Sequence, residues 1–233
     1  MENNQILSKE ILAEGIKKIV VNCPLIARKC QPGQFVIVRL KEYSERVPLT
    51  INDFDRNKGL ITLIFQEVGK STVELGMVKE GDVILDVVGP LGKPSHIENY
   101  GTVVCIGGGV GTAVIYPVVR SLKQAGNKVI SIIGARSQDL LILVDEVKQY
   151  SDELIITTDD GTAGRKGFVT DGLKELIQRQ EKIDLVFAIG PVIMMKAVVD
   201  VTKPVNIPTI VSLNPIMMDG TGMCGVCLSL IHI

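Results

Sequence analysis

The segment Gly107-Gly108-Gly109-Val110-Gly111-Thr112-Ala113 places four glycines between an apolar run, Thr102–Ile106, and the start of a helical pattern. Glycines let a backbone turn sharply and approach a phosphate closely, and the helix that follows adds free N–H groups and partial positive charge. Tight strand–helix packing also selects glycine. The position after the first strand of an alternating strand–helix region favours dinucleotide binding over packing alone. Nucleotide choice turns on the end of the next strand, Gly134-Ala135-Arg136-Ser137, which has no acid for a ribose 2′-hydroxyl. Spacing there leans toward a 2′-phosphate, although Arg136 could equally stack on adenine or lie in solvent. Thr158-Asp159-Asp160-Gly161 and Gly190-Pro191-Val192 also follow strands, where open sheets place ligands. By spacing alone they read equally as loop punctuation.

A second chemical pattern closes the chain. Asp219-Gly220-Thr221-Gly222-Met223-Cys224-Gly225-Val226-Cys227 has the C-x4-C-x2-C spacing of plant-type [2Fe–2S] proteins, with Asp219 in the first cysteine's place. A zinc knuckle would need a second ligand pair, which the chain lacks, and a redox C-x-x-C would need a thioredoxin-like helix. Cys23, Cys30 and Cys105 stand singly among apolar residues and read as small buried hydrophobes. A third pattern sets Arg46 and Thr50 four residues apart on one face of an expected strand. A fourth, Gly69-Lys70-Ser71-Thr72, puts two hydroxyls at a helix start, where they could cap the helix or bind a pyrophosphate.

The elements that must carry these residues fall into two rhythms. Ile6–Leu12, Ile16–Asn22, Gln34–Leu40, Val47–Asn52, Leu60–Gln66 and Val83–Val88 are short β-type runs separated by Pro/Gly/Asn turns, with one helical stretch at Ser71–Met77. That spacing predicts a closed antiparallel barrel. After Tyr100 the strands Thr102–Ile106, Lys128–Ile133, Leu154–Thr158, Leu185–Ile189 and Thr209–Leu213 alternate with helices at Thr112–Gln124, Asp139–Gln149, Val169–Gln178 and Val192–Val201. Apolar strands alternating with helices predict a parallel sheet covered on both faces. The fold class is therefore β-barrel plus α/β. The expected domains are a barrel over residues 1–98, an α/β nucleotide-binding domain over 99–213 and a partial iron–sulfur segment over 214–233.

Composition narrows the partners. With 25 Lys+Arg against 26 Asp+Glu the chain has no field to gather polyanions, so nucleic acid is not expected. Residues 99–119 carry no charge, but the glycines and Pro117 fit a buried strand, turn and helix start better than a membrane span. The first fifteen residues lack the pattern of a signal peptide, and a cytoplasmic location is expected.

The motifs Arg46-Val47-Pro48-Leu49-Thr50, Gly69-Lys70-Ser71-Thr72 and Gly107–Gly111, in this order, resemble those of the ferredoxin-reductase-like flavoproteins. More narrowly, together with Gly89–Pro94 and Ser212–Met217, they resemble the small electron-transfer subunits of NADH-dependent ferredoxin:NADP oxidoreductase. Those of sulfide dehydrogenase and dihydroorotate dehydrogenase are related. The resemblance implies FAD in the barrel, with Arg46 on a phosphate and Thr50 as the catalytic-site hydroxyl near the flavin N5. Pro48 and Leu49 belong to the same motif, and Gly69, Ser71 and Thr72 flank the pyrophosphate. It implies NAD(H) at Gly107, Gly108, Gly109, Gly111 and Thr112, with Arg136 nearby and Asp160, Gly190 and Pro191 closing the pocket. A [2Fe–2S] cluster would draw on Asp219, Cys224 and Cys227, and Asp in the first position resembles the ferredoxin:NADP form. A larger oxidoreductase subunit is the implied partner.

The fourth cysteine of the related subunits is absent, and the codons of Leu228–Ile233 can spell the end of a transposon-based sequencing adapter. The natural chain is therefore expected to continue past Cys227. The competing expectations are an electron-transfer subunit of dihydroorotate or sulfide dehydrogenase, and, from another class, a flavin-free nucleotide-binding regulatory module.

Overall fold

The computed structural model describes residues 2–213, 217, 223 and 224. The chain divides into two compact units, one running to Ser95 and the other spanning His96–Leu213. The break lies three residues before the boundary expected from the change of rhythm.

The first unit contains β1 (Ile6–Ala13), β2 (Ile16–Asn22), α1 (Pro24–Lys29), β3 (Phe35–Arg39), β4 (Val47–Asp55), β5 (Leu60–Gln66), α2 (Lys70–Gly76) and β6 (Asp86–Leu91). The strands pair antiparallel in the order β1-β2-β5-β4-β3-β6. The two ends of this sheet meet. Ile6 N–H donates to Asp82 O, Gly81 N–H to Ile6 O and Ile84 N–H to Asn4 O, just ahead of β6. Closure hides the edge that a six-stranded open sheet would expose. Alternate residues point inward, so Ile19, Ile51, Ile61, Leu63 and Ile84 fill the interior and Leu75 of α2 packs onto them. The short helix α1 was not expected. Pro24 supplies the preset φ of a first helical position, and Arg28 and Lys29 sit in its last turn.

The second unit contains β7 (Thr102–Gly108), α3 (Gly111–Gln124), β8 (Lys128–Ala135), α4 (Val144–Gln149), β9 (Glu153–Thr158), β10 (Arg165–Lys166), α5 (Val169–Gln178), β11 (Leu185–Ile189), α6 (Val192–Thr202) and β12 (Thr209–Val211). All its strands pair parallel, in the order β10-β9-β8-β7-β11-β12. Ile115, Val119 and Leu122 of α3 cover one face, against Val103, Cys105 and Phe187. Leu173, Met195 and Val198 of α5 and α6 cover the other, against Val104, Ile106, Ile132 and Ala188. Two covered faces explain why these strands read as continuous apolar runs.

One expected helix differs. Asp139–Gln149 breaks into a single 3-10 turn at Gln138–Leu140 and the separate helix α4. Leu143 takes a left-handed φ of 56° between them, and Ile142 and Leu143 are buried. The apolar run satisfied a helical period, yet a bend buries it instead.

Asn127 anchors the start of the second unit. Its side chain is 2% exposed, accepts from Tyr100 N–H and Gly101 N–H at 2.7 and 3.2 Å, and donates to Glu98 O and Leu122 O at 2.8 Å each. Every polar valence of that amide that matters here is used, which is what burial of an amide requires.

Candidate functional site

The glycine turn sits at the carboxyl end of β7, in the middle of the parallel sheet. Its geometry follows from what a side chain would hit. A Cβ on Gly107 would lie 2.9 Å from Thr112 Cα, one on Gly108 would lie 2.4 Å from Met194 Sδ, and one on Gly111 would lie 2.4 Å from Ile189 O. Three glycines therefore let α3, α6 and the end of β11 close on the turn. Gly109 is different, with a φ of +56° and nothing within 4 Å of the place a Cβ would take. Its own N–H donates to Gly134 O at 2.8 Å, and its carbonyl accepts from Thr112 N–H at 3.1 Å. The N–H groups of Val110 and Gly111 have no backbone partner among the described residues. Two donors at a helix start with no backbone partner among the described residues, beside open space, have the geometry that suits an anion. Thr112 is buried beneath, with its hydroxyl beside Gly107.

Gly190 and Pro191 join this edge. Gly190 lies against Met194 and Gly108, and Pro191 accepts the first hydrogen bond of α6 from Met195 N–H at 3.0 Å. Arg136 and Asp160 also meet, since Asp160 N–H donates to Arg136 O at 3.2 Å. The Arg136 residue is exposed. Asp160 Oδ1 accepts from Thr162 N–H at 2.9 Å and from Thr162 Oγ1 at 2.7 Å, and Thr162 Oγ1 in turn accepts from Gln138 N–H. The Thr162 hydroxyl, with help from its backbone N–H, holds the Asp160 carboxyl below the usual carboxylate range. A fixed, ionised carboxylate thus stands beside the strand end that has no acid of its own. That acid comes from the loop after the neighbouring strand β9, a placement spacing along β8 could not reveal.

In the barrel unit, β4 carries Pro48 and Thr50 half-buried on one face, while Leu49 points into the core and could meet a ligand only through its backbone. Thr50 lies opposite Phe35 of β3. Arg46 is exposed just before β4. Gly69 precedes α2 with nothing within 4 Å of a Cβ position, leaving its backbone open to close approach. Thr72 proves to be an internal cap: its hydroxyl accepts from Val68 and Gly69 N–H at 3.0 and 3.1 Å and donates to Gly69 O at 3.0 Å. Ser71 Oγ donates to Glu45 Oε2 at 2.6 Å, a contact across 26 positions that no local pattern marked.

Of the tail, Cys224 is exposed, while Asp219 and Cys227 lie outside the described residues. Among the described residues no three His, Cys, Asp or Glu side chains gather as a metal set. Burial pushes the Cys23 thiol up to about 12 and the Cys30 thiol to about 11, and raises that of Cys105 as well. These three are packing residues, not nucleophiles. No helix among the described residues is long and apolar enough to cross a membrane.

Comparison with known proteins bears on both units. Residues 105–200 match the family described as oxidoreductase NAD-binding domain. Over 224 residues the chain is 50% identical to the dihydroorotate dehydrogenase B (NAD(+)) electron transfer subunit homolog of Thermotoga maritima, covering 96% of this chain and 79% of that one. It is 35% identical to the dihydroorotate dehydrogenase B (NAD(+)) electron transfer subunit of Fusobacterium nucleatum, covering 86% of this chain and 79% of that one. Among solved structures, a chain of the NADH-dependent reduced ferredoxin-NADP oxidoreductase, studied for flavin-based electron bifurcation, superposes with a TM-score of 0.92 at 49% identity. That match covers 97% of this chain and 82% of that one.

Proposed function

The chain belongs to the family of electron-transfer subunits named for dihydroorotate dehydrogenase B, and from that membership we propose that Gly107–Thr112 hold NAD(H) while Arg46, Thr50, Gly69 and Ser71 hold FAD. The protein is a flavin-dependent oxidoreductase subunit that works with a larger catalytic subunit, and the family's cofactors are FAD, NAD(H) and a [2Fe–2S] cluster. Arg46, Thr50, Gly69 and Ser71 would hold a flavin, which would supply the exchange between two-electron nicotinamide chemistry and the one-electron chemistry of an iron–sulfur centre. The chain's own residues bind and orient; no side chain is required as a proton donor or acceptor.

The observation that carries this reading is the turn at Gly109, an open cradle at the end of the first parallel strand with two N–H donors that have no backbone partner among the described residues. A dinucleotide pyrophosphate fits it by charge and by the absence of a Cβ. In the barrel, the open backbone at Gly69, the Ser71 hydroxyl and the Arg46 guanidinium fit a second pyrophosphate. Thr72 supports that turn as its cap and is not needed as a direct ligand. Asp219, Cys224 and Cys227 remain the proposed cluster ligands, and a cytoplasmic location is part of the same reading. The relatives' names divide between two partner types, and Asp219 in the first ligand position supports the ferredoxin:NADP type.

The test is a visible absorption spectrum of the purified chain, taken anaerobically before and after NADH. Flavin bands that bleach on addition of NADH are expected. A colourless preparation that binds nucleotide would instead support a flavin-free module.

Asp160 offers a sharper prediction about nucleotide choice. Its fixed negative charge, held by Thr162 in the loop whose backbone meets Arg136 O, would disfavour a 2′-phosphate bound at that strand end. Asp160→Asn keeps the acceptor for Thr162 and removes the charge. The ratio of kcat/KM for NADPH over NADH, measured with ferricyanide as acceptor, should rise roughly tenfold. An unchanged ratio would place the discriminating group elsewhere.

A further inference from the structure

We propose that Glu45 is a built-in competitor for the flavin phosphate: its carboxylate holds the Ser71 hydroxyl and must release it when FAD binds. The inference rests on the reading of Arg46 and Ser71 as phosphate-facing residues. Three observations carry it. Ser71 Oγ donates to Glu45 Oε2 at 2.6 Å, within the short range of charge-assisted hydrogen bonds. Glu45 is the immediate neighbour of Arg46, whose guanidinium pairs with no carboxylate among the described residues. The backbone at Gly69, two residues from Ser71, faces open space. An anion therefore already stands where the resemblance and the geometry place another anion.

The loop that carries Glu45 is not loose at its start. Arg39, at the end of β3, pairs with Asp86 at 2.5 Å and donates to Glu42 O at 3.4 Å, and Ser44 N–H closes a turn onto Lys41 O. Glu45 itself is exposed and makes only the Ser71 contact among the hydrogen bonds described. It can swing away without disturbing the barrel. A phosphate and a carboxylate cannot share one hydroxyl donor at hydrogen-bond range without strong repulsion. Since Ser71 Oγ has a single proton to give, the two acceptors exclude each other. In the cofactor-free chain the carboxylate satisfies Ser71 and leaves Arg46 free to make the first contact with an arriving phosphate.

The test uses the chain stripped of flavin, with FAD binding followed by flavin fluorescence and by calorimetry. Glu45→Gln should tighten FAD binding roughly threefold to tenfold, the worth of one exposed charge-assisted contact that no longer competes. It should also make inorganic pyrophosphate a better competitor against FAD. In the Ser71→Ala background Glu45→Gln should change FAD affinity little, because the contested donor is gone. Equal or weaker FAD binding by Glu45→Gln in the parent chain would overturn the proposal; weaker binding would make Glu45 a ligand of FAD. If Arg46→Ala and Ser71→Ala both leave FAD affinity unchanged, the placement of the phosphate fails instead, whatever Glu45→Gln does.

Discussion

Arg46→Ala should lower FAD affinity roughly 10–100-fold, the worth of one or two charge-assisted hydrogen bonds to a phosphate. Arg46 is exposed, lies just before β4, and stands next to the Glu45 that engages Ser71. Because it supports no packing, thermal stability of the flavin-free chain should be unaffected, and the loss should appear entirely in cofactor retention. Lysine at this position should restore only part of the affinity, since an ammonium cannot grip two phosphate oxygens as a planar guanidinium does. Wild-type-like retention of yellow colour by the alanine variant through gel filtration would remove Arg46 from the site.

The glycine turn yields the second large effect, and two of its members should fail in opposite ways. A Cβ on Gly111 would sit 2.4 Å from Ile189 O and 2.9 Å from Gly190 Cα, both backbone atoms that cannot step aside. Gly111→Ala should therefore cost about 3 kcal/mol of stability by overpacking, read as a lower denaturation midpoint of the α/β unit. At Gly109 the same change meets nothing, and its φ of +56° costs about 1 kcal/mol in strain. Gly109→Ala should fold, yet its methyl group intrudes on the cradle and should weaken NADH binding roughly tenfold or more, measured by titration. Full stability in Gly111→Ala would contradict the close approach of α3 to β11. Unchanged NADH affinity in Gly109→Ala would mean that the phosphate lies elsewhere.

Much of this was legible in the residues, and particular ones show where legibility stops. The parallel sheet announced itself because a strand covered on both faces has no polar side, so Val103–Ile106 and Val129–Ile133 could be nothing but buried. The glycine turn was readable for the same local reason, its backbone requirement being written into four residues. Legibility failed where a local pattern had two physical solutions. Leu140–Val144 met a helical period, but the left-handed Leu143 buries that run in a bend. Thr72 offered itself as cap or ligand, and its capping role shows only in the placement of its hydroxyl on Gly69 N–H. Contacts made across strands were invisible from the start. Glu45 meets Ser71 26 positions away, and Asp160 meets the residue after β8 from the loop that follows β9.

The pinned glycine turn has a consequence for how nucleotide preference can change. Thr112 of α3, Met194 of α6 and the end of β11 crowd Gly107, Gly108 and Gly111 so closely that the backbone proposed to hold a pyrophosphate has little room for redesign. Arg136 and Asp160, by contrast, are exposed at the strand ends and bear little of the fold's packing. On the proposed assignment, grip and choice would be lodged in separate parts of the domain. An engineer could exchange one coenzyme for the other by varying a few outward-facing residues, while the anchoring loop and the melting temperature stay as they are.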